Sequence, residues 1–307
     1  WPTGLLGFAV TGIGMPLLGL LATFRAGGNI DKFAGKVSLP FAKAFNFAIL
    51  LCIGPLFAIP RTAATTFEVG ILPLLGAFDP GSILGISWSA IAVSLIFFAV
   101  TLYFYFTPFL ILMLGFIIVK GILVPIGKPA APVVDNAFAL GFTEGYQTMD
   151  ALASMAFASI IMADIMGHGH GNTKEGLSMA VKVALVSMLG FLFFYGGLVY
   201  LGASGGESFA NTKDGHTAIT VRLVDAIAGD TGRYALASAM TFACLTTAIG
   251  LTTAVAGYFE KLLDKRLSYR GLVWIIVTAS AVLSVYGVRH IISLSVPVLY
   301  ALYPVAI

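Results

Sequence analysis

Gly141-Phe-Thr-Glu-Gly-Tyr-Gln-Thr-Met-Asp150 stands at the head of a long apolar run, Ala151 to Met166. The stretch carries glycines, carboxylates, a tyrosine and threonine where hydrocarbon tolerates none of them. A polar, Gly-interrupted segment at membrane depth leaves backbone groups that lipid cannot satisfy. Such a segment persists where it lines a cavity or binds something, and discontinuous helices of this kind hold substrates and ions in secondary transporters. The alternative is a helix N-terminus in an ordinary polar loop. The membrane character of the surrounding chain favours the first reading.

That character is set by composition. Of 307 residues, 59% are hydrophobic and 10% charged, against roughly 25% charged in soluble domains. The 35 glycines suit a polytopic helical bundle, because small residues let helices approach closely. A net charge of +3 gives no footprint for nucleic acid. Cys52 and Cys244 both lie inside apolar runs, which argues against a disulfide framework or a metal site. His168 and His170 sit in a Gly-rich turn that reads as a solvated loop rather than a metal site.

A membrane helix needs about 20 apolar residues. Candidate spans are Leu5–Phe24, Phe41–Pro60, Phe138–Met166, Leu177–Leu201, Tyr234–Tyr258, Leu272–Tyr286 and Ile291 onward. Ile83–Val119 contains no charged residue. As one helix it would be about 55 Å long, against a hydrocarbon core of about 30 Å. It is therefore read as two spans, with a loop missing between Tyr103 and Pro108, and the total becomes nine. Gly202–Gly232 reads as a long polar segment with an apolar patch, Ala218–Ala228. The chain opens at Trp1-Pro2-Thr3 and stops at Ile307, each in an apolar span, so it is expected to be the ordered part of a longer protein. No secretory signal pattern is present.

Basic loops orient the spans. Arg25, Lys32 and Lys36 form one, and Lys261, Lys265, Arg266 and Arg270 another. Short cytoplasmic loops carry such an excess, and alternation from either loop gives the same orientation. It places Lys128, the Gly202–Gly232 segment and Arg289 outside.

Two further segments have unusual polarity. In Gly54-Pro-Leu-Phe-Ala-Ile-Pro60-Arg61, Pro55 and Pro60 disrupt helix hydrogen bonding. Arg61 and Glu68 share a face if the segment is helical, and they are placed to pair with each other or with Asp150. The alternative is a helix end at the interface, with Arg61 snorkelling and Glu68 solvated. The second segment holds Thr246, Thr247, Thr252 and Thr253 in an otherwise apolar span. Hydroxyls and carbonyls suit a hard cation such as Na⁺; the residues alone favour a structural role, because Thr often bonds its own helix carbonyls. No zinc-protease, nucleophile-elbow or phosphate-loop motif appears, so an enzyme is not expected. Neither a filter-like Gly ladder nor a charged ring marks a channel.

At these residues a resemblance becomes specific. Gly54-Pro-Leu-Phe-Ala-x-Pro-Arg-Thr-Ala63, Phe67-Glu-Val-Gly70 and Gly141-Phe-x-x-Gly-Tyr-x-Thr-Met-Asp150 resemble the bacterial branched-chain amino acid:cation symporter family. So do Thr247-Ala-x-Gly-Leu-Thr252, Ser268-Tyr-Arg270 and Ser295-Val-Pro-Val-Leu299, in order along nearly the whole chain. The resemblance implies an all-α polytopic membrane protein of the leucine-transporter type, with two inverted five-helix repeats in a single transmembrane domain. The first repeat, lacking its first helix, would cover about residues 1–127 and the second about 136–307; the nine spans would be helices two to ten.

It further implies sodium-coupled import of leucine, isoleucine and valine across the bacterial cytoplasmic (inner) membrane by alternating access. No cofactor is expected other than Na⁺ as coupling ion. A proton-coupled amino acid transporter is the alternative, and an ion channel a more distant one. By position, Gly141, Phe142, Gly145, Tyr146, Thr148 and Met149 would bind substrate. Ala243, Thr246 and Thr247 would contribute to a cation site, which reverses the structural preference for those threonines. Arg61, Glu68 and Asp150 are candidates for coupling or gating.

Overall fold

The structure, a computed structural model, describes residues 1–28, 30–75, 82–83, 86–87, 107–129, 134–168, 173–206 and 216–306. They are almost wholly helical, apart from a two-residue antiparallel pair, Ser82–Ile83 with Ile86–Ser87. The expected gap between Tyr103 and Pro108 falls on residues up to 106, and these, with residues 84–85 and 88–102 of the charge-free run, lie outside the described residues.

Helix α1 spans Pro2–Arg25 and is π-helical over Ala9–Gly14. Its leading proline sits where a missing N–H costs nothing. A short helix α2, Ile30–Ala34, follows. Helix α3, Leu39–Leu74, starts at Ser38, whose Oγ accepts from the Phe41 N–H at 3.2 Å. It loses helical geometry at Gly54 (φ −87°, ψ −122°), immediately before Pro55, which has no N–H to give. Helix α4 is Thr107–Leu123, which takes in the end of the charge-free run and continues past it through Lys120.

Helix α5, Ala137–Tyr146, is capped by Asn136, whose Oδ1 accepts from the Ala139 N–H at 2.9 Å. Helix α6 is Asp150–Gly167 and α7 is Thr173–Ser204. Helix α8 runs from His216 to Leu262 with a break at Gly229 (φ 55°, ψ −145°), a conformation only glycine adopts readily. Helices α9, Tyr269–Ser284, and α10, Val288–Ala306, complete the order.

Five described helices are long and apolar enough to cross a membrane: α1, α3, the broken α5–α6 unit, α7 and α8. The α9–α10 pair, bent by 112° at its break, makes a sixth if taken as one span. Helix α7 is the most lipid-like: only 11% of its most apolar window is buried, and Val186 and Leu189 point outward. An apolar face of that size would be an aggregation hazard in water; in a bilayer it is the ordinary surface. The packed centre lies elsewhere, where Ile49, Ile53 and Ile59 of α3 meet Leu152 and Met155 of α6, Leu251 and Val255 of α8, and Leu299 and Tyr303 of α10.

One element differs from the sequence reading. In place of a polar segment throughout Gly202–Gly232, helix begins at His216 and runs into the following span. Asp225, Asp230 and Arg233 lower the hydropathy of this stretch without preventing helix. They pair with each other on its surface, Arg233 meeting Asp225 at 2.7 Å and Asp230 at 3.5 Å.

Candidate functional site

The Gly141–Asp150 stretch is a broken helix, and the break is narrow. Helix persists through Gly141 and Gly145 to Tyr146; unwinding is confined to Gln147, Thr148 and Met149. Met149 takes left-handed φ and ψ (59°, 11°) while only 3% exposed. That conformation costs roughly 1–2 kcal/mol for a side-chain-bearing residue, so its surroundings must hold it. Thr148 Oγ1 donates to Gly145 O at 2.9 Å and accepts from the Asp150 N–H at 3.3 Å, tying the two helix ends together.

Gly141 and Gly145 serve packing against α1. A Cβ at Gly141 would overlap the backbone of Gly4, and one at Gly145 would overlap the Thr11 hydroxyl. Gly7 meets the Phe138 carbonyl in the same way. Thr11 Oγ1, in the π-helical part of α1, donates to Phe142 O at 2.8 Å. The two backbones therefore touch along a seam of small residues. Phe142 stacks edge-on to Tyr146, whose ring lies 4.5 Å from that of Tyr303 in α10.

Arg61 and Glu68 pair with neither each other nor Asp150. Arg61, seven residues beyond Gly54 in α3, donates from Nη1 to the Gln147 carbonyl at 2.7 Å. One discontinuity thus satisfies the other. Glu68 accepts from the Val288 N–H at 2.9 Å and from Thr217 Oγ1 at 3.1 Å, so one carboxylate holds the starts of α10 and α8. The physical reason is that helix breaks free more backbone groups than ion pairs alone would serve.

Beside the α5–α6 break lies a cavity of about 400 Å³, within the range of small-molecule sites, about 300–1,000 Å³. Helix α1 supplies Ile13, Pro16 and Leu17, α3 supplies Ile53 and Ala58, and α7 supplies Ser187, Met188 and Phe191. Thr148, Met149 and Asp150 line it from the break, and Thr246 and Thr247 from α8. Asp150 also accepts a hydrogen bond at Oδ2 from Tyr195 OH of α7. Thr246 Oγ1 donates to the carbonyls of Phe242 and Ala243, both at 3.0 Å, while Thr247 is exposed to the cavity.

Of the sequence-derived site residues, the cavity gathers Thr148, Met149, Asp150, Thr246 and Thr247. Gly141, Phe142, Gly145 and Tyr146 lie along the α1 seam and the α10 aromatic contact instead. Tyr195 is absent from the sequence-derived set. It sits in an apolar helix among other aromatics, and the one available signal is a hydroxyl in a lipid-facing run.

The fold and cavity define a multi-pass helical membrane protein with a polar break facing an internal pocket. Across residues 1–307 the chain matches the family described as branched-chain amino acid transport protein, and it belongs to that family. It is 35% identical to the branched-chain amino acid permease BraB of Bacillus subtilis over 98% of its own length and 69% of that protein. It is 34% identical to the branched-chain amino acid transport system 3 carrier protein of Pseudomonas aeruginosa, over 97% of its length and 70% of the relative. No solved structure matches the chain.

Proposed function

We propose that the protein imports leucine, isoleucine and valine across a bacterial cytoplasmic membrane as a sodium-coupled symporter working by alternating access. The observation that carries the reading is the convergence of one polar break and two threonine hydroxyls on one largely apolar cavity. A branched aliphatic zwitterion needs that combination, with polar groups at one end and greasy walls at the other. The apolar walls are Ile13, Leu17, Met188 and Phe191; the polar end is Thr148, Asp150, Thr246 and Thr247. The α8 hydroxyls, with the Ala243 carbonyl one turn before, supply oxygen ligands suited to Na⁺. In this reading Na⁺ preorganises the cavity and substrate closes it, which shifts the population between outward and inward states.

Reconstitution into proteoliposomes tests it. An inward Na⁺ gradient should drive leucine accumulation above equilibrium. Accumulation driven by a pH gradient alone would replace sodium with proton coupling. Absence of leucine flux under either gradient would remove the transport reading.

A further inference from the structure

We infer that Asp150 is the group that receives the substrate's ammonium, with Tyr195 positioning its carboxylate. The inference rests on the amino acid transport reading above and assigns one end of the substrate within it.

Asp150 is the one charged side chain among the described residues lining the cavity. It opens α6 directly after the break, at a helix start. Negative charge is favoured there, and the helix end helps keep a carboxylate in an apolar place. Among the described residues it makes no ion pair; Arg61, the nearest candidate from sequence, is engaged with Gln147 O. Arg61 lies near enough to act on the carboxylate through space but makes no direct contact with it, so the carboxylate face toward the cavity is left for a cationic ligand.

Its hydrogen-bond partner is Tyr195, which donates to Oδ2. The Tyr195 ring is fixed by edge contact with Phe8 at 5.0 Å and by Phe191 at 5.7 Å, so the hydroxyl holds the carboxylate in one orientation. A carboxylate has about four acceptor sites, so the tyrosine leaves capacity for the three donors of an ammonium. The walls on either side are apolar, from Leu17, Phe157 and Met188. An aliphatic branch lies against them while the ammonium meets Asp150. The substrate carboxylate is left for the Thr247 hydroxyl, which faces the cavity, the Thr246 hydroxyl being spent on its own helix.

The same carboxylate chemistry would also serve the coupling cation, and equilibrium binding separates the two. The probes are leucine and 4-methylpentanoate, which has the same branch and carboxylate but no amine. The full-length protein, Asp150→Asn and Tyr195→Phe are compared at saturating and limiting Na⁺. The wild type should strongly prefer leucine. Asp150→Asn should weaken leucine binding about tenfold or more, as loss of a charge-assisted hydrogen bond implies, even at saturating Na⁺, while 4-methylpentanoate binding holds.

Tyr195→Phe should weaken leucine severalfold and spare 4-methylpentanoate, which keeps the inference testable if Asp150→Asn does not fold. Asp150→Asn with unchanged leucine affinity at saturating Na⁺, or Tyr195→Phe weakening both ligands equally, would overturn the assignment. A raised Na⁺ requirement alone in Asp150→Asn would give the carboxylate to the cation instead. Failure of the wild type to bind leucine at all would count against the transport reading, not against this assignment.

Discussion

Gly145 and Thr247 show how differently two small residues in one membrane protein answer to substitution. Gly145 has no room: an added methyl meets the Thr11 hydroxyl and the Gly12 backbone. Gly145→Ala should therefore destabilise by about 1–3 kcal/mol through overpacking, read as a lower unfolding temperature in detergent. Gly196→Ala, in α7 with nothing within 4 Å of the new Cβ, should be neutral or slightly stabilising, since glycine inside a helix costs about 0.5–1 kcal/mol. Equal effects from the two changes would show that the seam is not close-packed.

Thr247, by contrast, faces open cavity. Thr247→Ala should leave abundance intact, because a threonine hydroxyl in a membrane contributes only about 0.6–2 kcal/mol, yet it should raise the Na⁺ concentration needed for half-maximal uptake. Thr246 spends its hydroxyl on its own helix, so Thr246→Ala should shift Na⁺ dependence less. An unchanged sodium curve for Thr247→Ala would return that residue to a structural role.

Among elements, the breaks in α3 and between α5 and α6 are tied together. Arg61→Ala removes the donor to Gln147 O and leaves a carbonyl at the break without its partner. A loss of about 1–3 kcal/mol of stability follows if that carbonyl stays buried, together with slower uptake. Arg61→Lys should recover part of both, since it restores charge but not the planar fork. Thermal unfolding and uptake measured on the same preparations check this; full activity and stability in Arg61→Ala would show that the contact is dispensable.

The break at Gln147–Met149 is legible in the sequence because polar residues persist inside an apolar run only where backbone or ligand makes use of them. The partner of Arg61 is not legible. A backbone carbonyl 86 positions away leaves no mark in the sequence, whereas Glu68 and Asp150 do, and charge invites pairing them on paper. Gly141 and Gly145 look like chain-breaking glycines in one dimension, but tertiary contact with α1 decides their role. The first part of α8 escapes a hydropathy reading because Asp225, Asp230 and Arg233 weigh as loop residues, while helix geometry lets them pair at its surface.

At the scale of the whole molecule, basic loops and cavity make separate predictions. The loop between α8 and α9 is exposed and carries Lys265 and Arg266, with Arg270 in the first turn of α9. With Cys52 and Cys244, both buried, replaced by alanine, Lys265→Cys should resist an impermeant thiol reagent in intact cells and react after permeabilisation. Labelling in intact cells would invert the orientation.

The apolar walls should favour leucine over alanine, since a methylene in such a pocket is worth roughly 1–3 kcal/mol. Leucine, isoleucine and valine, which differ by one methylene or its placement, should be separated only weakly. Competition for leucine uptake decides this: inhibition by alanine as strong as by valine, or stronger inhibition by lysine or glutamate, would remove the assignment of branched substrates.

The seam between α1 and α5 has a mechanical consequence. Where two backbones touch with no side chains between them, nothing can rotate aside to let one slide past the other. The first half of α1 is therefore locked to α5, while its second half packs along α6, where Gly19 meets Ala151 and Ser154, and only three unwound residues join α5 to α6. A rearrangement that swings α6 away from α5 must bend at Gln147–Met149 and, in α1, between its two halves at the π-helical Ala9–Gly14, and Arg61 grips the first of these joints from a different helix.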